Sequence, residues 1–203
     1  MIRTVKKPAD RKADIVNTAC HLFMTKEYDK TTMQDIMDAL GIAKGTIYHY
    51  FTSKEALLEA VIEDLVAKNI NQMRSLIKEA KGNALQKMEL LVKTGSMAQD
   101  NKILLDQLHK PGNNAMHTRL LAATLIQLAP LYAELIQQGC DEGIFTTQTP
   151  LECAEFILSG IQFLTDMGIY PWTQEAIQRR MQAFPKLLEQ LLNAPPESFN
   201  FLR

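Results

Sequence analysis

Cysteine is scarce in this chain of 203 residues. Cys20, Cys140 and Cys153 lie far apart inside apolar patterns. They are too few and too scattered for a disulfide framework or a zinc site, and no metal or other cofactor is expected. The nine glycines and eight prolines fall between periodic segments rather than inside them. No alternating apolar and polar run is closed by a tight Asn-Gly or Asp-Gly turn, so no hairpin is predicted. Short Val/Ile-rich runs that would read as parallel strands are also missing. No uninterrupted apolar stretch reaches the roughly 18–20 residues that span a bilayer. The basic start, Met1 to Pro8, has no apolar segment behind it and does not read as a secretory signal. Charge of one sign is lacking too: 22 Lys and Arg against 23 Asp and Glu leave −1. On its face, that excludes a protein holding nucleic acid by bulk positive charge. These absences together predict a soluble cytoplasmic protein.

What the sequence does have is helix. Apolar residues make up 46% and charged residues 22%, an ordinary globular composition. Ile15, Ala19, Leu22 and Phe23 share one face of a first helix, 8–26. Thr32, with Asp35 three positions on, reads as the cap of a short second helix whose buried face is Ile36, Ala39 and Leu40. Gly41 ends it, because glycine accepts the left-handed backbone of a helix stop. A third short helix, 43–51, turns Ile47 and Phe51 inward. Thr52-Ser53-Lys54-Glu55 reads as a capping box for a long fourth helix, with Leu57, Val61, Leu65 and Ala67 on its stripe. Further helices are predicted over 83–110, 115–129, 131–142, 150–167 and 174–192. Pro130 separates two of them, and Thr149 caps the helix opened by Pro150. Residues 193–203 read as a loose tail. The fold class is all-α, with about nine helices.

Two short helices joined by a glycine turn and packed on a first helix make a helix-turn-helix. Such a motif needs small or polar residues on the outer face of the helix that enters the major groove. Lys44, Gly45, Thr46, Tyr48 and His49 supply that face.

The stretch from Tyr28 to Val61 resembles the DNA-binding signature of the TetR family of transcriptional regulators. The matching elements are Thr32, Ile36, Leu40-Gly41-Ile42, Lys44-Gly45-Thr46-Ile47-Tyr48, Tyr50-Phe51 and Lys54-Glu55-Ala56-Leu57. The resemblance implies a DNA-binding domain over 1–53 and a larger helical ligand-binding and dimerisation domain over 54–203. It implies base contacts from Lys44, Gly45, Tyr48 and His49, and phosphate contacts from Thr32, Thr46, Tyr50 and Lys54. Hydroxyls and helix ends suit phosphate, and such contacts fix register without reading sequence. Two positions depart from the family pattern. Met37 replaces the usual Ala, and Ala43 replaces a Ser or Thr that would cap the third helix.

Beyond residue 60 only the layout matches. Candidate pocket residues are Met88, Leu91, Thr94, Leu105, His109, Met116, Leu120, Phe156 and Phe163. Met97 and Trp172 are further apolar candidates, and Asn113 and His117 further polar anchors; simple core packing is the competing reading for the apolar ones. The last two helices resemble the family's dimerisation pair. Ile157, Gly160, Ile161 and Leu164 share a face on one, and Leu187, Leu188, Leu191 and Leu192 cluster on the other. The resemblance therefore implies a ligand-responsive repressor and not an enzyme. It would act as a homodimer on a palindromic double-stranded operator and be released by a small, largely apolar effector. An enzyme on the same body would need His109 and His117 to meet Asp106 or Cys140, and no spacing resembles a nucleophile elbow or a phosphate loop. A regulator-like protein without DNA binding is the third alternative; intact Lys44, Tyr48 and Lys54 argue against it.

Divided at Lys54, the charge balance looks different. Residues 1–54 hold nine bases and six acids, a net +3, and the remainder thirteen bases and seventeen acids, a net −4. Five of those nine bases fall within the first twelve residues, an arrangement suited to an arm along the phosphates.

Overall fold

The computed structural model describes residues 7–97 and 106–202, and within them every regular element is helical. The order is α1 (Pro8–Lys26), α2 (Met33–Leu40), α3 (Lys44–Tyr50), α4 (Lys54–Glu79), α5 (Ala84–Met97), a helical turn at 106–108, a 3-10 turn (Pro111–Asn113), α6 (Asn114–Asp141), α7 (Pro150–Thr165), α8 (Gln174–Leu191) and a last 3-10 turn (Asn200–Leu202).

Two hydrophobic clusters hold these elements. The first joins Ile15, Ala19 and Phe23 of α1 to Ile36 and Met37 of α2, Ile47 of α3 and Leu57, Leu58, Val61, Ile62, Val66 and Ile70 of α4. Leu108 and Met116 close it from the far side. The second packs Met88 and Leu91 of α5 against Leu135 and Ile136 of α6, Ala154 of α7, Leu188 of α8 and Phe145 and Phe199. Burying each large apolar side chain contributes roughly 1.5–3 kcal/mol. α4 takes part in both, since its end (Met73, Leu76, Ile77) packs on the second cluster.

Several local expectations change here. Met37, not Ala39, shares the buried face of α2 with Ile36, and Ala39 is exposed. On α4 the buried stripe passes through Val66 and Ile70, leaving Ala67 outside. Ser53 caps α4 by accepting the Ala56 N–H, but the third position of the helix is Ala56 itself, so no reciprocal box forms. Thr149 makes no side-chain cap on α7; its hydroxyl faces the Cys153 thiol at 3.9 Å.

Pro130 does not divide α6, which runs unbroken from Asn114 to Asp141. A proline removes one donor and crowds the carbonyl four residues back. That carbonyl belongs to Ile126, which is exposed, so water can take its freed lone pairs. The run Pro111–Asp141 is also long and apolar enough, by length and composition alone, to cross a membrane. Arg119, Gln127, Pro130 and Glu134 interrupt its apolar residues, so it does not read as one uninterrupted run. In the fold it packs against α4, α5 and α7.

Residues 193–202 are not a loose tail but fold back on the second cluster. Phe199 is buried and stacks on Phe145, with ring centroids 5.8 Å apart. The Thr146 N–H donates to the Leu192 carbonyl at 2.8 Å, tying the α6–α7 loop to the end of α8. The helix stops at Leu191, before Pro195-Pro196, and the aromatic pair Phe199 and Phe201 gives the segment after it something to bury.

Candidate functional site

The helix-turn-helix is assembled by local chemistry. Thr32 and Asp35 form a full capping box: the Thr32 hydroxyl accepts the Asp35 N–H at 3.2 Å, and the Asp35 carboxylate accepts the Thr32 N–H at 2.7 Å. The Lys26 ammonium reaches the other carboxylate oxygen at 2.7 Å and joins α1 to α2. That ammonium first, and the Thr32 hydrogen bonds next, hold the Asp35 carboxyl down at about 2. Gly41 takes φ +61°, and its N–H donates to the carbonyls of Asp38 and Met37. The chain then turns into α3 through Ala43, which offers no side-chain cap; the Thr46 N–H finds only the Ala43 carbonyl at 2.9 Å.

α3 is sided. Ile47 is fully buried and Phe51 nearly so. Lys44, Gly45, Tyr48 and His49 are exposed together on the opposite face, with Tyr48 40% accessible. The Lys44 ammonium lies 5.7 Å over the Tyr48 ring, a cation–π contact that keeps both groups at the tip. No other atom stands within 4 Å of where a Cβ on Gly45 would be, so this spot is flat and open. The four residues expected to face bases are therefore one surface.

The four expected at phosphates are less uniform. Thr46 and Tyr50 are half-buried beside that surface, and Tyr50 packs edge-on to His49 with centroids 5.1 Å apart. Thr32 is exposed but its hydroxyl serves the capping box. Lys54 points inward: its ammonium donates to the carbonyls of Tyr28 at 2.6 Å and Thr31 at 2.9 Å, and sits 4.1 Å over the Tyr28 ring. Its main work is to pin the α1–α2 loop. Of the N-terminal arm, residues 1–6 lie outside the described part, and Lys12 is held over the Phe51 ring.

That loop also meets the segment that precedes α6. Asn113 is fully buried, and its Oδ1 accepts the Tyr28 N–H at 2.6 Å while its amide donates to the Gln107 carbonyl at 2.9 Å. The Asp29 N–H donates to the Gly112 carbonyl at 3.0 Å. Asn113 is thus a strut between the two regions rather than a pocket anchor.

The nine candidate pocket residues do not gather. Met88 and Leu91 belong to the second core cluster, and Met116 and Leu120 pack in the first. Thr94 is exposed, and Leu105 lies outside the described residues. Phe156 is 72% exposed on the outer side of α7. One groove of about 470 Å³ lies between α6 and α7, and Phe163 is the member of the set that lines it. Its apolar wall is Leu121, Ala122, Leu125 and Ile169, and its polar groups include Asn114, His117, Thr118, Ser159 and Gln162.

His109 and His117 stand beside this groove with ring centroids 5.1 Å apart. Their partner is Asp166, not Asp106 or Cys140. The His117 Nε2 lies 3.0 Å from one Asp166 oxygen and the His109 Nε2 3.4 Å from the other. Sequence reading missed Asp166. The only signal for it is an Asp two residues before Gly168, the pattern of a side chain that folds back on its own turn, and both the Gly168 and Ile169 N–H groups do donate to it.

The candidate dimer residues do gather. Ile157, Gly160, Ile161, Leu164, Leu187, Leu188 and Leu191 all line one apolar groove of about 530 Å³ between α7 and α8, and Phe156 joins them. Leu187 is 54% exposed.

Residues 15–61 match the family model described as bacterial regulatory proteins, tetR family, and residues 96–187 match the tetracyclin repressor-like C-terminal domain. A transcriptional repressor of Mycolicibacterium smegmatis, KstR2, is 36% identical over 63 residues, which are 31% of each chain. The match thus spans about a third of that relative's length. KstR2 of Rhodococcus jostii is 25% identical over 149 residues, covering 71% of this chain and 72% of that one. The solved structure of a regulator from Pectobacterium atrosepticum superposes with a TM-score of 0.66 at 18% identity, covering 94% of this chain and 100% of that one. The R. erythropolis repressor QsdR gives 0.60 at 16% identity, covering 94% and 98%. At such identities the two structures speak for the fold.

Proposed function

The chain belongs to the TetR family of bacterial regulatory proteins, and on that premise we propose that it is a transcriptional repressor, binding a palindromic operator as a homodimer and released by a small, largely apolar effector. The observation that carries this is the two-sidedness of α3. Ile47 anchors the helix, while Lys44, Gly45, Tyr48 and His49 stand free on one face. Lys44 can donate to a guanine edge and Gly45 lets the backbone approach the groove wall. Thr46 and Tyr50 flank that face and serve the phosphates. Thr32 and Lys54 act chiefly by holding the loop that sets the angle of α2.

The functional division falls at residue 53, with the reading head over 1–53 and the effector and dimer body over 54–203. One seven-residue helix reads few base pairs. Two heads related by a twofold read an inverted repeat with half-sites about 34–36 Å apart, or a multiple of that. The apolar groove of α7 and α8 is the surface for that pairing, since a monomer exposing Phe156 and Leu187 there would carry an association liability. The groove between α6 and α7 is the effector site. An effector releases DNA only if it binds the DNA-incompetent conformation more tightly. The path to the head is the strut from Gly112 and Asn113 to the α1–α2 loop.

Replacing Tyr48 tests the reading. Tyr48→Ala should abolish the shift of an operator duplex at fixed salt while the helical circular dichroism and the dimer persist; an unchanged shift would overturn the assignment. Leu187→Lys should leave a folded monomer in sedimentation, and a dimer of undiminished stability would move the interface elsewhere.

A further inference from the structure

We propose that His109, His117 and Asp166 form a binding site for a divalent transition-metal ion. Their donor atoms all lie within 4.8 Å of one another. Two donors bound tetrahedrally at about 2.0–2.1 Å are about 3.3–3.4 Å apart. The two nitrogen–oxygen separations of 3.0 Å and 3.4 Å bracket that value without any ion to draw the groups together. Two imidazoles and one carboxylate are a donor set suited to zinc and its first-row neighbours.

The site is partly built in advance. The side chains of His117 and Asp166 are only 4% and 10% exposed, and that of His109 is 25% exposed. Asp166 is oriented by the N–H groups of Gly168 at 2.7 Å and Ile169 at 3.1 Å, the kind of outer-shell support that metal-bound carboxylates have. Gly168 is required for the pair to close, because a Cβ there would run into both histidine rings. A plain hydrogen-bonded Asp–His contact accounts for His117 but not for His109. The His109 Nε2 is buried 3.4 Å from the carboxylate, yet makes no hydrogen bond. A buried polar atom without a partner carries a cost, and a ligand in the gap removes it.

Three protein donors leave at least one coordination position. His117 and Gly168 also line the groove between α6 and α7, so that position serves water or a donor atom of a molecule in the groove. His109 also shares its short segment with Gly112 and Asn113, which hydrogen-bond the α1–α2 loop. An ion would tie that segment to α6 and to Asp166. The bearing of this on DNA rests on the repressor reading; metal binding does not.

The test uses the chelator-stripped full chain and Co²⁺ as probe. Dialysis should find one ion per chain at micromolar free Co²⁺, with visible d–d absorption free of thiolate charge transfer. Asp166→Asn keeps an acceptor for Gly168, and His109→Gln is partly exposed; each should weaken binding at least about tenfold. Gly168→Ala removes no ligand and should weaken it as well. His21→Gln, a distant exposed histidine, should not. Stoichiometric binding that survives Asp166→Asn and His109→Gln, or no binding by folded wild-type protein, overturns the site. Zn²⁺ loading should also slow hydrogen exchange at the Tyr28 amide; unchanged exchange overturns the link to the head and leaves the site to the dialysis.

Discussion

In the helix-turn-helix region, both ends of α2 and the start of α4 are closed by residues a few positions apart. Thr32 meets Asp35, Gly41 meets Met37 and Asp38, and Ser53 meets Ala56. In the body, the decisive partners are far apart in the chain. His117 meets Asp166 across 49 residues, Asn113 meets Tyr28 across 85, and Phe199 closes the second cluster from the far end of the chain. The shape of the helix-turn-helix is written largely by local contacts. The body is a set of helices whose grooves exist only after long-range packing. On the repressor reading proposed above, that division would let the reading face stay fixed while the packing that carries it shifts.

The largest break in this contrast should come from Phe199→Ala. Deleting a buried aromatic typically costs about 3–5 kcal/mol. The loss should appear in thermal unfolding of the whole chain, although the residue sits in what reads as a tail. A change near zero would return 193–203 to a loose end.

Asn113→Ala comes next, at the seam. It strands the Tyr28 N–H, a buried donor, at a cost of about 1–3 kcal/mol. Hydrogen exchange at Tyr28 and Asp29 should quicken, and effector response should weaken more than DNA affinity does. If exchange there is unaltered, the strut is not the joint between the regions.

The smallest effect is local to the head. Asp35 titrates at about 2 when folded, against an ordinary 3.8. A lowered folded value means stability that is present above the ordinary value and lost as pH falls from about 4 toward 2. Asp35→Asn should flatten that acid limb, and a carboxyl titration near 3.8 by NMR would contradict the Lys26 and Thr32 contacts. Asp35 is exposed, so the change in stability at neutral pH should be slight.

The same contrast explains what could be read from residues alone. The all-α class, the caps at Thr32 and Ser53, the stop at Gly41 and the outward set Lys44, Gly45, Tyr48 and His49 were legible because each depends on neighbours in sequence. The apolar groove of α7 and α8 was legible for a related reason: its two walls are helical stripes, each periodic by itself. The pocket was not. Met88, Leu91 and Met116 have the same pattern whether they line a cavity or fill a core, and only packing across helices separates the two. Asp166 carried no periodic signal at all, since its role arises from where the connector after α7 crosses α6. The unbroken α6 was missed because the tolerance of Pro130 depends on the exposure of Ile126, which is again a tertiary fact.

On the proposed reading, two copies of α3 read a twofold-symmetric duplex. Selection of bound duplexes from a random pool by the purified protein tests it directly. The expected result is enrichment of an inverted repeat with half-sites about one helical turn, or a multiple of it, apart, lost for Tyr48→Ala. Enrichment of nothing, or of a single unrepeated site, would contradict it.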